Sequence, residues 1–306
     1  MKNIWTTCCT AGIALAAFTG VALAAPPALG ASRDPVAPTE IDGYKIKYGP
    51  YSADDSADDK AADAVCPTGT VVLGGGAEVA GAPGLIGLRK LNPHRTSEGR
   101  YRFTATAAET GHSTDGKWKM RAVAVCGKRP DGYEITNWRT SAKNHGTSFK
   151  AVKATCSPGK RPLGYGSAVS GALGNVSLRS MRVPFATRDV AVSASEAATN
   201  TFTPWSVSSR AVCAASSVGQ AEKAGTWSWP QSPAVTSRTV ACPADTRPLG
   251  AGMSLSADDQ VRRNLLVRAV YPVILFGGGG SLVQVSEDWN GTTGSWQVLA
   301  RVNCAP

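Results

Sequence analysis

The sequence predicts an all-β protein of three tandem antiparallel β repeats, each stapled by one disulfide. A segment recurs in which Trp precedes Cys by eight residues and Glu precedes that Trp by nine. Short runs of Val, Thr, Ile, Tyr and Trp alternate with polar residues between Gly, Pro, Asn and Ser clusters, which is typical of strands and turns. No segment has a sustained helical period. The recurring segment closes the repeats at Trp118–Cys126, Trp205–Cys213 and Trp296–Cys304.

The chain begins with the pattern of a secretory signal peptide. Lys2 precedes an apolar run over residues 11–24, which ends in a small-residue cleavage pattern at Ala24, with Ala31 as an alternative. The run is shorter than the roughly 20 apolar residues of a membrane span, and no other segment qualifies. We therefore predict that residues 1–24 are removed and that the protein is secreted, extracellular and without a transmembrane segment.

Residues 25–42 are rich in Pro and Ala and predict an irregular leader. The repeats follow it, and we interpret GYKIKYG, GYEITNW and GTWSWPQ as their corresponding first segments. Each repeat continues with Cys, Leu-Gly-x-Gly, a Leu-containing segment, Pro, a variable loop, Glu, Trp and Cys. The predicted bounds of the three repeats are 43–130, 131–220 and 221–306.

Six cysteines remain after Cys8 and Cys9 leave with the signal peptide. Export favours disulfides. Because each repeat holds one Cys near its start and one at its end, one pairing is selected from the 15 that six cysteines allow. Metal binding would need clustered Cys or His, and the chain has no CxxC or HxxxH, so no metal site is predicted. The predicted pairs are Cys66–Cys126, Cys156–Cys213 and Cys242–Cys304.

The closing segment indicates how each repeat packs. In a strand, Trp118, Met120 and Cys126 share one face, whereas Lys119 and Arg121 point to the other. This predicts one face packed around the disulfide and one that is wet or half-wet. About 85–90 residues per repeat suffice for a small disulfide-supported sandwich. The alternative is a single pseudo-threefold β-prism with one sheet per repeat.

Two sets of repeated residues invite a catalytic or phosphate-binding interpretation. The repeated glutamates share a face with apolar residues, but threefold recurrence favours structural carboxylates that accept backbone N–H bonds over general acids. Leu-Gly-x-Gly lacks the Lys-Ser/Thr or helix that a phosphate loop needs, so these glycines predict a bulge or close backbone contact. The residues are Glu109, Glu196 and Glu287, with the structural tryptophans Trp118, Trp205 and Trp296, and Gly74, Gly164 and Gly250.

No catalytic residue or cofactor is predicted elsewhere. The histidines His94, His112 and His145 occupy non-equivalent positions, and there is no GxSxG elbow. SADD runs occur at 52–55, 56–59 and 256–259. Their carboxylates could bind calcium, but they lack the spacing of an EF-hand loop, and solvated acidic loops are the favoured interpretation.

Charge and aromatic residues point towards ligands. Loss of Lys2 leaves 31 of the 32 Lys and Arg residues against 22 Asp and Glu, a net charge of +9, which favours polyanionic surfaces. The basic residues are spread along the chain, so no specific nucleic-acid site is predicted, and the oligomeric state is left open. Four unrepeated tryptophans are candidates for stacking on sugar rings: Trp138, Trp227, Trp229 and Trp289.

The segment CPTGTVVLGGGA followed by W and AVAVC resembles a repeat of exported actinobacterial proteins, in which CPxGxxxLGGG precedes a closing W…AxC strand. The resemblance covers 43–306 and implies an extracellular β-repeat protein without implying an activity. Repeat 2 departs from the pattern at Ser157-Pro158, and repeat 3 lacks the turn glycine at Pro243-Ala244-Asp245. A weaker similarity to the vitelline membrane outer layer family, a threefold β-prism, supports the prism alternative.

These observations favour a secreted, non-enzymatic binding or surface-associated protein, with carbohydrate or anionic cell envelope as the ligand class. One alternative is an extracellular hydrolase of polysaccharide or peptide that uses a carboxylate from one repeat. Another is a proteinaceous inhibitor that acts through the variable loops within 93–109, 184–196 and 272–287.

Overall fold

A computed structural model describes residues 40–306, apart from short gaps within that range. The predicted signal peptide, nearly all of the leader, and His112 lie outside the described residues. All described residues belong to one compact unit. The gaps are 111–114, 146–147, 173, 185–186, 197–202, 232, 259–260, 262 and 276–277.

The described chain is built almost entirely of strands. Repeat 1 contains β1 (Lys45–Tyr48), β2 (Asp59–Val65), β3 (Val71–Gly81), β4 (Ile86–Arg95), β5 (Tyr101–Glu109) and β6 (Trp118–Gly127). Repeat 2 contains β7 (Glu134–Ile135), β8 (Arg139–Thr140), β9 (Phe149–Thr155), β10 (Lys160–Ser170), β11 (Val176–Arg182), β12 (Asp189–Glu196) and β13 (Ser206–Ala215). Repeat 3 contains β14 (Ala221–Ala224), β15 (Val235–Ala241), β16 (Arg247–Ala257), β17 (Leu265–Leu275), β18 (Gly278–Glu287) and β19 (Trp296–Ala305).

The strands form three antiparallel sheets, and every sheet combines strands of two repeats. Sheet I has the order β1-β6-β3-β17-β18-β15, and sheet III has the order β14-β19-β16-β11-β12-β9. Sheet II has the order β2-β5-β4-β10-β13-β7, with β8 also paired to β13. Sheet I joins repeats 1 and 3, sheet II joins repeats 1 and 2, and sheet III joins repeats 2 and 3, so the sharing is cyclic.

The predicted all-β class with antiparallel repeats is confirmed. Within repeat 1 the two half-sheets pack face to face, with β2 against β6, so a repeat is sandwich-like locally. Because each sheet crosses a repeat boundary, the strand order supports the closed alternative for the whole unit. The prism alternative was predicted with one sheet per repeat, and this detail is wrong, because two repeats share each sheet.

The three predicted disulfides are confirmed. They join Cys66–Cys126, Cys156–Cys213 and Cys242–Cys304, with Cα–Cα distances of 5.6, 5.9 and 5.8 Å. In each pair one Cys follows the edge strand of one sheet and the other lies in the closing strand of another sheet. Each disulfide therefore ties together the two half-sheets of its repeat.

The closing strands differ from their predicted pattern in one respect. Trp118 is fully buried, and Lys119 and Arg121 are half-buried, as alternation requires. Val123 and Val125, however, are also fully buried although they lie on the face expected to be wet. Val125 packs in a second apolar cluster, which gathers the ends of the three repeats around Leu73, Leu163 and Leu249. Val123 packs in a separate small cluster on the outer face of its sheet.

The Leu-Gly-x-Gly glycines lie where the three repeats meet. At each copy the strand register shifts just before the first glycine, so the preceding leucine is the bulged residue. A Cβ on Gly164 would lie 2.6 Å from the Cα of Gly74, and one on Gly250 would lie 2.8 Å from the Cα of Gly164. The three backbones therefore approach too closely for a side chain.

Three buried arginines link the repeats in a cycle. Each occupies a bulge at which the strand register shifts, after Leu88, Leu178 or Val267. They donate to carbonyl groups of another repeat: Arg89 to Gly171 at 3.1 Å, Arg179 to Leu265 at 3.0 Å, and Arg268 to Ala82 at 2.9 Å. Burial lowers the pKa of the Arg268 guanidinium to about 10.

The assignment of GTWSWPQ as the first strand of repeat 3 is wrong. The strand is the preceding Ala221–Ala224, which pairs with β19 at the edge of sheet III. The amide of Gly225 donates to Ala300, just as the amide of Gly49 donates to Ala122. GTWSWPQ thus corresponds to the segment that starts at Gly49. The sequence AEKA has little intrinsic preference for a strand and forms one through its pairing with β19.

The turn after the first Cys of repeat 3 is built without glycine. Gly69 and Gly159 have φ angles of 81° and 78° at this turn, and Asp245 takes the same place with a φ of 61°. Asp tolerates this left-handed conformation better than most residues do, so the turn is kept.

Candidate ligand-binding faces

The outer faces of the three sheets, which point away from the disulfide-bearing core, differ in charge. One position, five residues after the closing Trp, holds Val123 in sheet I, Arg210 in sheet II and Arg301 in sheet III. Arg301 forms an ion pair of 2.8 Å with Glu222. Because the three positions are related by the repeat, the pseudo-symmetry shows which features the fold itself does not require.

Sheet II carries a cleft of about 360 Å³ where β4 and β5 of repeat 1 meet β7 and β13 of repeat 2. Aromatic and basic side chains of both repeats form its walls. We call it the arginine cleft, formed by Arg95, Arg129, Arg210, Tyr101, Tyr133 and the adjoining Trp138; His94, Glu134 and Ile135 also line it.

Arg210 lines the arginine cleft, and its hydrogen-bond partners among the described residues are neutral. It donates to Asn92 Oδ1 at 3.0 Å, to the Pro93 carbonyl at 3.2 Å, and twice to the Thr136 carbonyl. Its Cζ lies 4.7 Å from the centroid of the Trp138 ring. Burial lowers the pKa of Arg210, which means that its positive charge is held at a cost.

Arg95 and Arg129 are exposed at the rim of the cleft. Arg129 donates to the Tyr101 hydroxyl at 2.6 Å and lies 5.0 Å from the centroid of the Tyr133 ring. Arg95 lies 5.7 Å from the centroid of the Tyr101 ring. Among the residues that the structure describes, no carboxylate forms an ion pair with any of the three arginines of the cleft, so their charge is available to an anion.

The carboxylate that lines the cleft is occupied elsewhere. Glu134 pairs with Lys160 at 2.6 Å and accepts hydrogen bonds from the amide and hydroxyl of Ser157. Burial opposes ionisation, but these partners hold the pKa of Glu134 below its usual value. Glu134 also lies near the sulfurs of Cys156 and Cys213, but these are bonded to each other and offer no thiolate to a metal.

The four candidate tryptophans lie in two different parts of the structure. Trp138 is half-buried beside the arginine cleft. Trp227, Trp229 and Trp289 belong to repeat 3 and are 43%, 80% and 50% exposed. The first two lie in the segment beside β19, and Trp289 follows β18.

Two of the three repeated glutamates contact the closing tryptophans, which are at most 1% exposed. Trp205 donates its indole N–H to Glu196 at 2.8 Å, and Trp296 donates to Glu287 at 3.0 Å. Glu287 also accepts the backbone amide of Thr292. In repeat 1 the indole of Trp118 donates to the carbonyl of Ala57, and Glu109 is buried.

The first acidic loop has partners for two of its carboxylates. Asp54 pairs with Lys119 at 3.4 Å and Asp55 pairs with Lys60 at 2.6 Å. The later run at 256–259 extends beyond the described residues at its last position. His94 lies in the arginine cleft, where its Nδ1 is 3.1 Å from the Asn92 carbonyl, and His145 is exposed.

Sequence reasoning missed two buried lysines. The ammonium groups of Lys60 and Lys150 lie 4.4 and 4.3 Å from the ring centroids of Trp118 and Trp205, and each donates to three carbonyl groups. Their signal is a fixed position six residues before the first Cys of the repeat, where repeat 3 has Thr236. The arginine cleft had no such signal, because Arg95, Arg129 and Tyr101 are not repeated and its walls come from two different repeats.

Comparison with known proteins yields no family: neither a protein-family model nor a curated protein matches the chain. Among the described residues there is no helix with the length and apolar character needed to cross a membrane. The three disulfides are compatible with an extracellular location.

Proposed function

We propose that this protein is a secreted, non-enzymatic binding protein whose ligand is an anionic polymer of the cell envelope. One observation carries the proposal: three arginines without carboxylate partners converge on one cleft. The equivalent arginine of sheet III is neutralised by Glu222, and sheet I has a valine there. The unpaired charge therefore belongs to one face and is not a requirement of the fold.

The composition of the arginine cleft fits a sugar-containing or polyol-containing polyanion. Arg95 and Arg129 are exposed and can pair with phosphate or carboxylate groups through two parallel hydrogen bonds. Tyr101 and Tyr133 pack edge to face, 5.8 Å apart, and present apolar surface between the charges. A polymer that alternates anionic groups with carbon-rich units matches this alternation of cations and rings.

The test is retention of the mature protein on immobilised polymers at physiological ionic strength. Poly(glycerol phosphate) teichoic acid supplies phosphate, polygalacturonate supplies carboxylate, and dextran is uncharged. We expect binding to at least one anionic polymer, and the double variant Arg95→Ala/Arg129→Ala should weaken it by about tenfold or more.

The matched control is Lys45→Ala/Lys47→Ala, which removes the same net charge from exposed positions on β1. It should change the affinity by less than about twofold, because distant exposed charges are screened. Equal loss in both double variants, or equal retention of duplex DNA, would show non-specific charge attraction and overturn the proposal. Turnover of a retained polymer would overturn its non-enzymatic part.

A further inference from the structure

We infer that the outer face of sheet I is a second binding site, and that its ligand is an uncharged pyranose sugar. The site lies on β1, β6 and β3 of repeat 1 and on β17 of repeat 3, away from the arginine cleft on sheet II. We call it the tyrosine face, formed by Tyr48, Tyr51, Tyr271, Arg121 and Glu78.

The aromatic part of the tyrosine face is exposed and ordered by its neighbours. Tyr48 and Tyr51 are 42% and 41% exposed, and the Arg121 guanidinium lies 4.7 Å from the centroid of each ring. Tyr271 packs edge-on against Tyr48 at 6.5 Å. Rings held in this way offer apolar surface at little further cost in side-chain entropy.

The polar part is fixed beside the rings. Glu78 accepts a 2.6 Å hydrogen bond from the Tyr51 hydroxyl and forms an ion pair with Arg121. The neighbouring Lys119 is paired with Asp54. Positive and negative groups therefore balance across the face, in contrast to the arginine cleft, and an uncharged ligand matches this balance.

The floor of the face is apolar. Val123, Ala269 and Val273 form a small buried cluster with Tyr271. A Cβ on Gly76 would lie 2.5 Å from the Cα of Tyr271, so glycine is needed for β3 and β17 to approach here. A pyranose ring has an apolar C–H face and a rim of hydroxyl groups, and it can pack on the tyrosine rings while its hydroxyls reach Glu78 and Arg121.

The pseudo-symmetry shows that the fold does not require this network. The position of Arg121 holds Ser208 and Leu299 in the other closing strands. The position of Glu78 holds Ala168 and Ser254. The Arg121–Glu78 pair and the tyrosine rings beside it therefore occur on one of the three equivalent faces.

The test is calorimetric titration of the mature protein with neutral oligosaccharides: cellohexaose, maltohexaose, mannohexaose and chitohexaose. We expect at least one to bind, and Tyr51→Ala should weaken its binding by about tenfold. Phe149→Ala is the matched control, because Phe149 is 45% exposed, much as Tyr51 is, but lies on β9 at the edge of sheet III; this variant should bind as the unmodified protein does. Tyr51→Phe keeps the ring and tests the hydroxyl separately, with thermal unfolding as the measure of intact folding.

Three results would overturn the inference: no binding of any of the four sugars at millimolar concentration, equal binding by a folded Tyr51→Ala variant, or equal losses in Tyr51→Ala and Phe149→Ala. The arginine-cleft variant Arg95→Ala/Arg129→Ala should retain neutral-sugar binding, and its loss would also count against a separate site. Polyanion binding is measured independently, so failure at one site is distinguishable from failure at the other.

Discussion

The indole N–H of Trp205 donates a 2.8 Å hydrogen bond to the carboxylate of Glu196, nine residues earlier in the chain. Trp296 and Glu287 repeat this contact at 3.0 Å. The closing strand is thereby tied to the end of the strand before it. A carboxylate that accepts a hydrogen bond from a buried indole favours a structural role for the repeated glutamates, and this role can be tested.

We expect Glu196→Ala to lower the free energy of unfolding by about 2 kcal/mol, because it leaves the buried indole N–H without its acceptor. Denaturant unfolding measures the change. The exposed Glu98→Ala is the control and should stay within about 0.5 kcal/mol of the unmodified protein. Equal stability of the two variants would contradict a structural role for Glu196.

The close approach of the three repeats predicts a severe effect of Gly164→Ala. Its Cβ would lie 2.6 Å from both the Cα of Gly74 and the carbonyl oxygen of Leu73, and these backbone atoms cannot move separately. We expect a loss of about 3 kcal/mol or more, or failure to fold. Gly87→Ala is the control, since its Cβ would meet only the Leu266 side chain, at 3.5 Å. Similar melting temperatures of the two variants would refute the close approach.

Arg268 links repeat 3 to repeat 1 through the carbonyls of Val79, Gly81 and Ala82. Arg268→Ala leaves these acceptors unpaired while relieving the cost of a buried charge, and we expect a net loss of about 2 kcal/mol by denaturant unfolding. Arg263→Ala, which removes a less buried guanidinium, is the comparison. If Arg268→Ala is as stable as the unmodified protein, the prediction is wrong, and the desolvation cost of the buried guanidinium equals the stabilisation from its hydrogen bonds.

The sequence was sufficient to predict the disulfides and the closing strands, because both depend on spacing within one repeat. It could not predict which repeats share a sheet. The joining ladders are short, as between Ala269 and Glu78, and backbone pairing of this kind leaves no residue pattern. The strand Ala221–Ala224 was missed for the same reason, since pairing with β19 outweighs its weak intrinsic preference.

The arginine cleft could not be predicted from the sequence for a different reason. Its charged rim combines Arg95 of repeat 1 with Arg129, which follows the closing strand, and its rings are Tyr101 and Tyr133. Arg95, Arg129 and Tyr101 do not recur at equivalent positions, so comparison of the repeats could not reveal them. Tyr133 corresponds to Tyr44 of repeat 1, but this correspondence does not show that Tyr133 meets Tyr101. Of the four unrepeated tryptophans, Trp138 alone adjoins this cleft, by its contact with Arg210.

The pH dependence of stability provides the last prediction, through Asp288. Burial raises the pKa of this carboxyl, and hydrogen bonds from Asn290 offset the effect only in part. The folded state therefore holds the proton more tightly than the unfolded chain does, and stability falls as the pH rises from the unfolded value of about 3.9 through the raised folded value. At pH about 7 the charged form reduces stability.

Asp288→Asn keeps the acceptor for the Asn290 amide and removes the charge next to Glu287. We expect this variant to unfold at a higher temperature than the unmodified protein at pH about 7, and at nearly the same temperature at pH about 3, where the carboxyl is protonated in both states. Melting curves over this range measure the difference, with the exposed Asp115→Asn as control. A variant that is less stable at neutral pH, or a difference that does not change with pH, would show that the Asp288 charge is stabilised by its surroundings, against the direction of its pKa.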